Sequence, residues 1–420
     1  MATAAINRLN LQDFLNDRPV GAFQWRVGIL AFIVLLLDGF DIVAIGFIIP
    51  SLIDAWHVSR QALGPTLVAA LIGLAIGAMA GGPIADRIGR RKVIIGSILF
   101  FGVMSFASAF STGLTMLTIL RFLTGLGLGA SQPNTGTLIS EYAPYRHRSI
   151  FVTLTYCGFT VGAALGGFLS AALLATYGWP SILIVGGVVP MLIALLCVFL
   201  LPESPRFLTL HPSRHAALCK IVNAMAPGTA DANTQFVTNE VVTGQVPFAQ
   251  IVSRPYVATT LLLWMGIFST MFTVYLMNSW LPTLIKGVGF SIRDAALIGA
   301  MGQVGGVTGN IFIGWAMDKW ESHRVVWTVL LVGAVCAIAI GTATMGVTVG
   351  LGILTALIFA LGLTTNCTNT TWVPLATNYY PTEMRATGTG TMTGAGRIGA
   401  ISGASMGAVL LSWHFSMGQI

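Results

Sequence analysis

Apolar runs long enough to cross a bilayer recur along almost the whole chain. They lie near residues 25 to 49, 64 to 84, 93 to 110, 114 to 138, 149 to 174 and 180 to 201, then 257 to 284, 295 to 317, 325 to 345, 349 to 372 and 386 to 411. Each is close to or above the ~20 residues a helix needs to span ~30 Å of hydrocarbon. Backbone amides in lipid must find partners within their own segment, so such runs predict helices rather than open sheets. Of the 420 residues, 55% are hydrophobic and only 8% charged, against about 25% charged in soluble domains. The chain reads as an all-α, polytopic membrane protein.

The polar segments set its organisation. Residues 1–201 carry six apolar runs, 202–254 hold most of the consecutive hydrophilic residues, and 255–420 carry five more runs. With alternating helices, nearly all Arg and Lys of the loops fall on one side, and only Arg60, Lys286 and Arg293 fall on the other. This positive-inside pattern accounts for the net charge of +7 and predicts a cytoplasmic N-terminus. The first twenty residues lack a compact apolar core with a small-residue cleavage site, so they do not read as a removable signal peptide. No basic run alternates with aromatics, which argues against a nucleic-acid partner. The five cysteines (Cys157, Cys197, Cys219, Cys336, Cys367) show no CxxC or Cys/His spacing, so neither disulfides nor a metal are expected. There is no GxSxG and no P-loop, and an enzyme is not expected.

The chain also repeats itself. EYAPYRHRS, from Glu141, is echoed by YYPTEMRAT, from Tyr379, with Pro144 matching Pro381 and Arg148 matching Arg385. GGPIADRIGRRK, from Gly81, has a degraded echo in GWAMDKWESHR, with Gly82 matching Gly314 and Asp86 matching Asp318. Two six-helix bundles related by a pseudo-two-fold axis are the economical reading.

Four charges lie deep in apolar runs: Asp38, Asp41, Arg121 and Arg397. A charged side chain costs ~2.5 to 3.5 kcal/mol at the centre of a membrane helix, so such residues normally face the bundle interior and pair or serve a pathway. Asp38 and Asp41 are three residues apart and share a helical face. Bracing of helix packing is one role for them, and carrying protons is the other. Arg121 is expected to be the countercharge of the aspartate pair, with substrate anchoring as a lesser role. Asp41 is expected to carry the proton and Asp38 to be its partner. Arg397 lies among Gly394, Gly396 and Gly399, which would let a small ligand reach a guanidinium whose fork matches a carboxylate. Phe40, Gln132, Tyr156, Tyr275, Asn278, Trp280, Gln303, Asn366, Asn369 and Trp372 supply aromatic faces and amides for the rest of a pocket.

Several motifs resemble those of a known family. GGPIADRIGRRK fits the GxxxDRxGRR loop of the major facilitator superfamily, and PESPRF (Pro202 to Phe207) closes the sixth helix as it often does there. DGFD (Asp38 to Asp41), RFLTGLGLGASQPN (Arg121 to Asn134), YCGF, SWLPTL, YPTEMRATG and GAGRIGA are similar to the aromatic acid:proton symporters, most closely the 4-hydroxybenzoate/protocatechuate branch. The fifth helix, CGFTVGAALGGF, lacks the Gly-Pro pair of the antiporter motif.

The resemblance implies import of a small aromatic carboxylate together with protons, by a monomer in a lipid bilayer and without a cofactor. The alternatives are another organic acid (gentisate, benzoate, quinate) or export. The resemblance also implies a gating latch of Asp86, Arg87, Arg90 and Arg91, in which Asp86 meets Arg148 or a helix end, joined by Glu141, Arg385 and Glu383. Asp318, the echo of Asp86, and His323, on the resemblance alone, complete it. It implies a twelfth helix as well, which would begin where HFSMGQI ends the chain, so the second bundle is expected to be truncated.

Overall fold

The computed structural model describes residues 8–231, 233–237, 248–346, 350–413 and 415–420. The side chains of Asp318, His323, Asn369, Glu383 and Arg385 lie outside the described residues. A short strand β1 (Arg8–Asn10) and helix α1 (Leu11–Asn16) lead into α2 (Ala22–Trp56), α3 (Gly64–Ile88), α4 (Arg90–Ser108), α5 (Leu114–Tyr142), α6 (Arg148–Tyr177) and α7 (Pro180–Leu200). Short α8 (Pro205–Thr209), α9 (His215–Met225), β2 (Gln235–Val237) and α10 (Phe248–Ile251) follow. The chain then forms α11 (Val257–Gly287), α12 (Ile292–Lys319), α13 (Ser322–Gly346), α14 (Leu351–Tyr379) and α15 (Thr382–Ser412). Every apolar run of the sequence is a long helix. In α14 the apolar part is Leu351–Asn366, and the helix continues through a polar stretch.

Glycines decide which helices touch, because lipid offers no hydrophobic drive for association and close backbone approach must supply dispersion instead. In the first bundle α2 packs on α6, with Gly39 against the Phe159 carbonyl and Gly162 against that of Leu36, and α3 packs on α5. The second bundle repeats both pairings. There α11 packs on α15, with Gly399 against the Phe268 carbonyl, and α12 packs on α14, with Gly362 against that of Gly302.

The bundles meet at the end where α2 and α11 finish and α3 begins. Ile49, Leu52 and Leu63 of the first bundle share one buried cluster with Leu276, Trp280, Leu284, Ala404 and Ala408 of the second. Gly46 lies against the Asn278 carbonyl, and α6 packs along α12. Lys286 Nζ reaches Asp54 Oδ2 across the seam at 2.5 Å, while Trp56 packs edge-on against Trp179 at a 5.3 Å centroid separation. Toward the other end, the buried cluster around Val27, Ile94 and Tyr142 belongs to the first bundle alone, and that around Ile251, Trp372 and Tyr380 to the second. The molecule is closed at one end and its bundles pack separately at the other.

The connecting segment carries structure that hydropathy did not indicate. β1 pairs in parallel with β2, Leu9 opposite Phe236, so the N-terminus is tied to the segment between the bundles. Leu11, Phe14 and Leu15 bury against Phe207, Leu208, Leu218 and Val222. The Asp231 carboxyl accepts from Thr234 Oγ1 at 2.7 Å and from the Asn233 amide, which holds it below the usual carboxylate range.

A side chain at Gly46 would overlap the Asn278 carbonyl, whereas Gly96 faces open space. Gly46→Val is expected to lower the thermal stability of the purified protein by forcing this end apart, while Gly96→Ala leaves it near wild type, as thermal unfolding in detergent would show.

Candidate functional site

The two acids of α2 have different surroundings. Asp41 is 3% exposed and Arg121 is 1% exposed, and Arg121 Nη1 donates to Asp41 Oδ2 at 3.1 Å. Ser105 Oγ donates to Asp41 Oδ1 at 2.7 Å, and Arg121 Nη2 donates to Ser105 at 3.2 Å and to Ser108 at 3.5 Å. The geometry is a closed, charge-balanced triangle between α2, α4 and α5. Asp38, 1% exposed, has no such partner: Ser131 Oγ donates to its Oδ2 at 2.8 Å, and its Oδ1 accepts no hydrogen bond. The structure therefore departs from the expectation that Arg121 serves both acids. The two acids are three residues apart on one face, but α5 offers Arg121 to one and Ser131, ten residues farther along, to the other.

A narrow cleft, about 450 Å³ when the space open to solvent is counted, lies over this triangle. It is lined by Asp41, Arg121 and Leu128 from the first bundle and by Tyr275, Asn278 and Ser279 from the second. A neighbouring cavity of about 350 Å³ lies within the second bundle and is lined by Asn278, Gln303, Thr365 and Asn366. Asn278 borders both cavities, and Gln303 Nε2 donates to its Oδ1 at 2.7 Å. One cavity is charged and the other is neutral and amide-lined.

Arg397 is half-buried, and its Nη2 donates across the seam to Gln132 Oε1 at 3.3 Å. The expectation that Gly396 and Gly399 open a path to this guanidinium is corrected. Gly396 faces Ile267 and Met271, and Gly399 faces the Phe268 carbonyl, so both serve packing of α15 on α11, while Gly394 faces open space.

Three aromatic assignments are corrected as well. Phe40 packs on Gly186 and Gly166 inside the first bundle. Trp280 is fully buried at the closed end, covers Gly407 and donates to the Ala404 carbonyl at 2.8 Å. Trp372 lies on Gly266 and donates to Thr270 Oγ1 at 3.0 Å. Each tryptophan satisfies its N–H within the second bundle, and neither lines either of these two cavities. Tyr156 is 39% exposed, with its hydroxyl over Gly136 on α5.

The α3–α4 loop forms a separate polar cluster. Arg90 pairs with Glu141 and lies 3.7 Å from Asp86, and Glu203 Oε1 accepts the Arg91 and Ser204 amides at 3.0 and 2.9 Å. Asp86 meets Arg90 rather than Arg148, because the two stand four residues apart on either side of the Gly89 break between α3 and α4. The Arg148 guanidinium instead sits 5.9 Å from the Tyr145 ring, and Arg87 is exposed.

Ser105, Ser108, Ser131, Glu203 and the Asp54–Lys286 pair were missed by sequence reasoning. The available signal for Ser105 and Ser108 was a hydroxyl pair three residues apart in an apolar run.

The sequence model of the Major Facilitator Superfamily matches residues 31–404, nearly the whole helical body. The chain belongs to this superfamily. The 4-hydroxybenzoate transporter PcaK of Pseudomonas putida is 44% identical over 411 residues, 97% of this chain and 91% of that protein. The gallate transporter of Pseudomonas putida is 40% identical over 407 residues, 96% of this chain and 89% of that protein. The benzoate transport protein of Acinetobacter baylyi is 30% identical over 417 residues, 97% and 87% of the two chains. The crystal structure of a D-xylose-proton symporter superposes with a TM-score of 0.71 at 18% identity, covering 94% of this chain and 96% of that one, and shows the shared fold. This major facilitator protein is a multi-pass membrane transporter and not an enzyme.

Removing one partner of a buried ion pair typically costs ~3 to 5 kcal/mol, because the other charge is left uncompensated. Asp41→Asn is therefore expected to destabilise the purified protein markedly more than Asp38→Asn, which orphans no cation. Thermal unfolding in detergent checks the order.

Proposed function

We propose that this transporter imports a hydroxylated aromatic monocarboxylate of the 4-hydroxybenzoate or protocatechuate type, together with protons, by alternating access across the bacterial inner membrane. The transporters named for 4-hydroxybenzoate and gallate, similar along almost the full length, support the substrate class. The positive-inside pattern supports a cytoplasmic N-terminus. In that orientation the end held by Asp54 and Lys286 faces outward, and the seam opens inward. One chain supplies both bundles, so a monomer suffices.

The observation that carries the mechanism is on α5. Its consecutive residues Ser131 and Gln132 hold Asp38, a buried acid that no described cation pairs, and Arg397, whose guanidinium reaches across the seam. Asp38 is the proton carrier in this reading, reversing the order expected from sequence. Protonation gives its free oxygen a hydrogen to donate and removes a charge that burial penalises. Asp41 and Arg121 neutralise each other and form a fixed, charge-balanced pair beside it. Arg397 takes the substrate carboxylate, Tyr275 flanks the ring, and the amides of Asn278, Gln303 and Asn366 meet the ring hydroxyl. Asp86, Arg87, Arg90, Arg91, Glu141 and Arg148 brace the inner ends of α3 to α6 and act as the latch of the inward gate.

One monoanion moving with one proton carries no net charge and is driven by the pH gradient alone. A second proton would add ~2.3 kcal/mol per 100 mV of membrane potential.

Uptake of labelled 4-hydroxybenzoate into proteoliposomes tests this directly. Asp38→Asn is expected to exchange substrate without accumulating it against a gradient, and accumulation at the wild-type level overturns the assignment. Arg397→Lys, which keeps the charge but loses the fork, is expected to raise the apparent KM; an unchanged KM removes Arg397 from the site. Asn278→Leu is expected to cut the preference for 4-hydroxybenzoate over benzoate about tenfold, read from competition between the two acids.

A further inference from the structure

The contact between Gln132 and Arg397 joins the two bundles at the side where they otherwise pack separately, and both side chains are half-buried. A carboxamide oxygen is a neutral imitation of one carboxylate oxygen. It accepts one N–H in the same geometry but brings no charge and leaves the second arm of the guanidinium fork unmatched. A carboxylate makes charge-assisted and often bidentate bonds to the same fork, roughly twice as strong each, and would displace it. The substrate carboxyl and the Gln132 oxygen therefore compete for the same nitrogen.

We propose that Gln132 is the resident competitor at Arg397: its side-chain oxygen occupies the guanidinium in the empty carrier, and the arriving acid displaces it. A symporter must return empty after each delivery, and a bare guanidinium enclosed between closing bundles would be an uncompensated charge. Gln132 supplies its partner on that return leg and is a positioning residue rather than a contact of the bound acid. Because Ser131 precedes it on α5 and holds Asp38, the backbone that moves when Gln132 is displaced also carries the hydroxyl at the proton site. This inference rests on Arg397 receiving the carboxylate.

Binding of 4-hydroxybenzoate to the purified full chain, measured calorimetrically, tests it. Gln132→Leu removes the competitor and is expected to lower Kd about two- to tenfold, the value of one hydrogen bond. Gln132→Glu installs a tethered carboxylate and is expected to raise Kd at least about tenfold. In an Arg397→Lys background the effect of Gln132→Leu is expected to shrink, as a double-mutant cycle requires of residues that act on each other. In proteoliposomes, Gln132→Leu is expected to slow net uptake more than exchange, because only net uptake includes the empty return. Weaker binding in Gln132→Leu makes Gln132 a direct substrate contact and overturns the proposal, as does wild-type affinity in Gln132→Glu. If the Glu variant does not fold, the Leu variant decides through its Kd and its ratio of net uptake to exchange. Weakened binding in Arg397→Lys with no change in Gln132→Leu sinks this inference alone, whereas unchanged binding in Arg397→Lys sinks the reading of the site beneath it.

Discussion

A charge inside a bilayer must be matched, and the pair of Asp41 and Arg121 is where this protein meets that requirement. The guanidinium and the carboxylate bond each other, and Ser105 bonds both, so three helices of the first bundle are tied at one buried point. The tie places α2, α4 and α5 around a wall on which the second bundle supplies Tyr275, Asn278 and Ser279. It also uses up Arg121, so that among the described residues Asp38 is left with the Ser131 hydroxyl for its partner. The chemistry proposed for Asp38 follows from what its neighbour has already taken.

The glycine contacts act at a longer range. The same two kinds of helix pairing occur in each bundle, with backbone against backbone, and they make each bundle a stiff unit. Stiff units whose shared buried cluster lies at one end can hinge there. The seam at that end mixes a fully apolar cluster with a half-exposed ion pair, Asp54 and Lys286, whose individual contribution is small. Such a contact can release and re-form without unfolding either bundle, which suits alternating access.

The helices and their number were legible because bilayer thickness acts on segments, and a segment's length and composition are written in the sequence. The deep charges were legible for the same reason, since hydropathy makes each an anomaly. Their partners were not. Arg121 was as consistent with Asp38 as with Asp41, because a three-residue spacing fixes a face but says nothing of what stands opposite. Ser131 carried no signal and the Ser105–Ser108 pair only a weak one, since a serine in a membrane helix usually bonds its own backbone. Phe40, Trp280 and Trp372 looked like pocket residues and are packing residues, because aromatic rings fill space beside glycine wherever two helices approach.

The sequence by itself determined an all-helical membrane protein with an internal repeat, acids and arginines in its interior, and a family resemblance that extends along the chain. Those properties follow from local chemistry: apolar length, loop charge and motif spacing. Only the tertiary structure decided that Arg121 belongs to Asp41, that Asp38 stands alone, and that Arg397 reaches Gln132 across the seam. Each of these depends on helix rotation and depth, which are set by glycine contacts between segments far apart in the chain, and no run of adjacent residues records them.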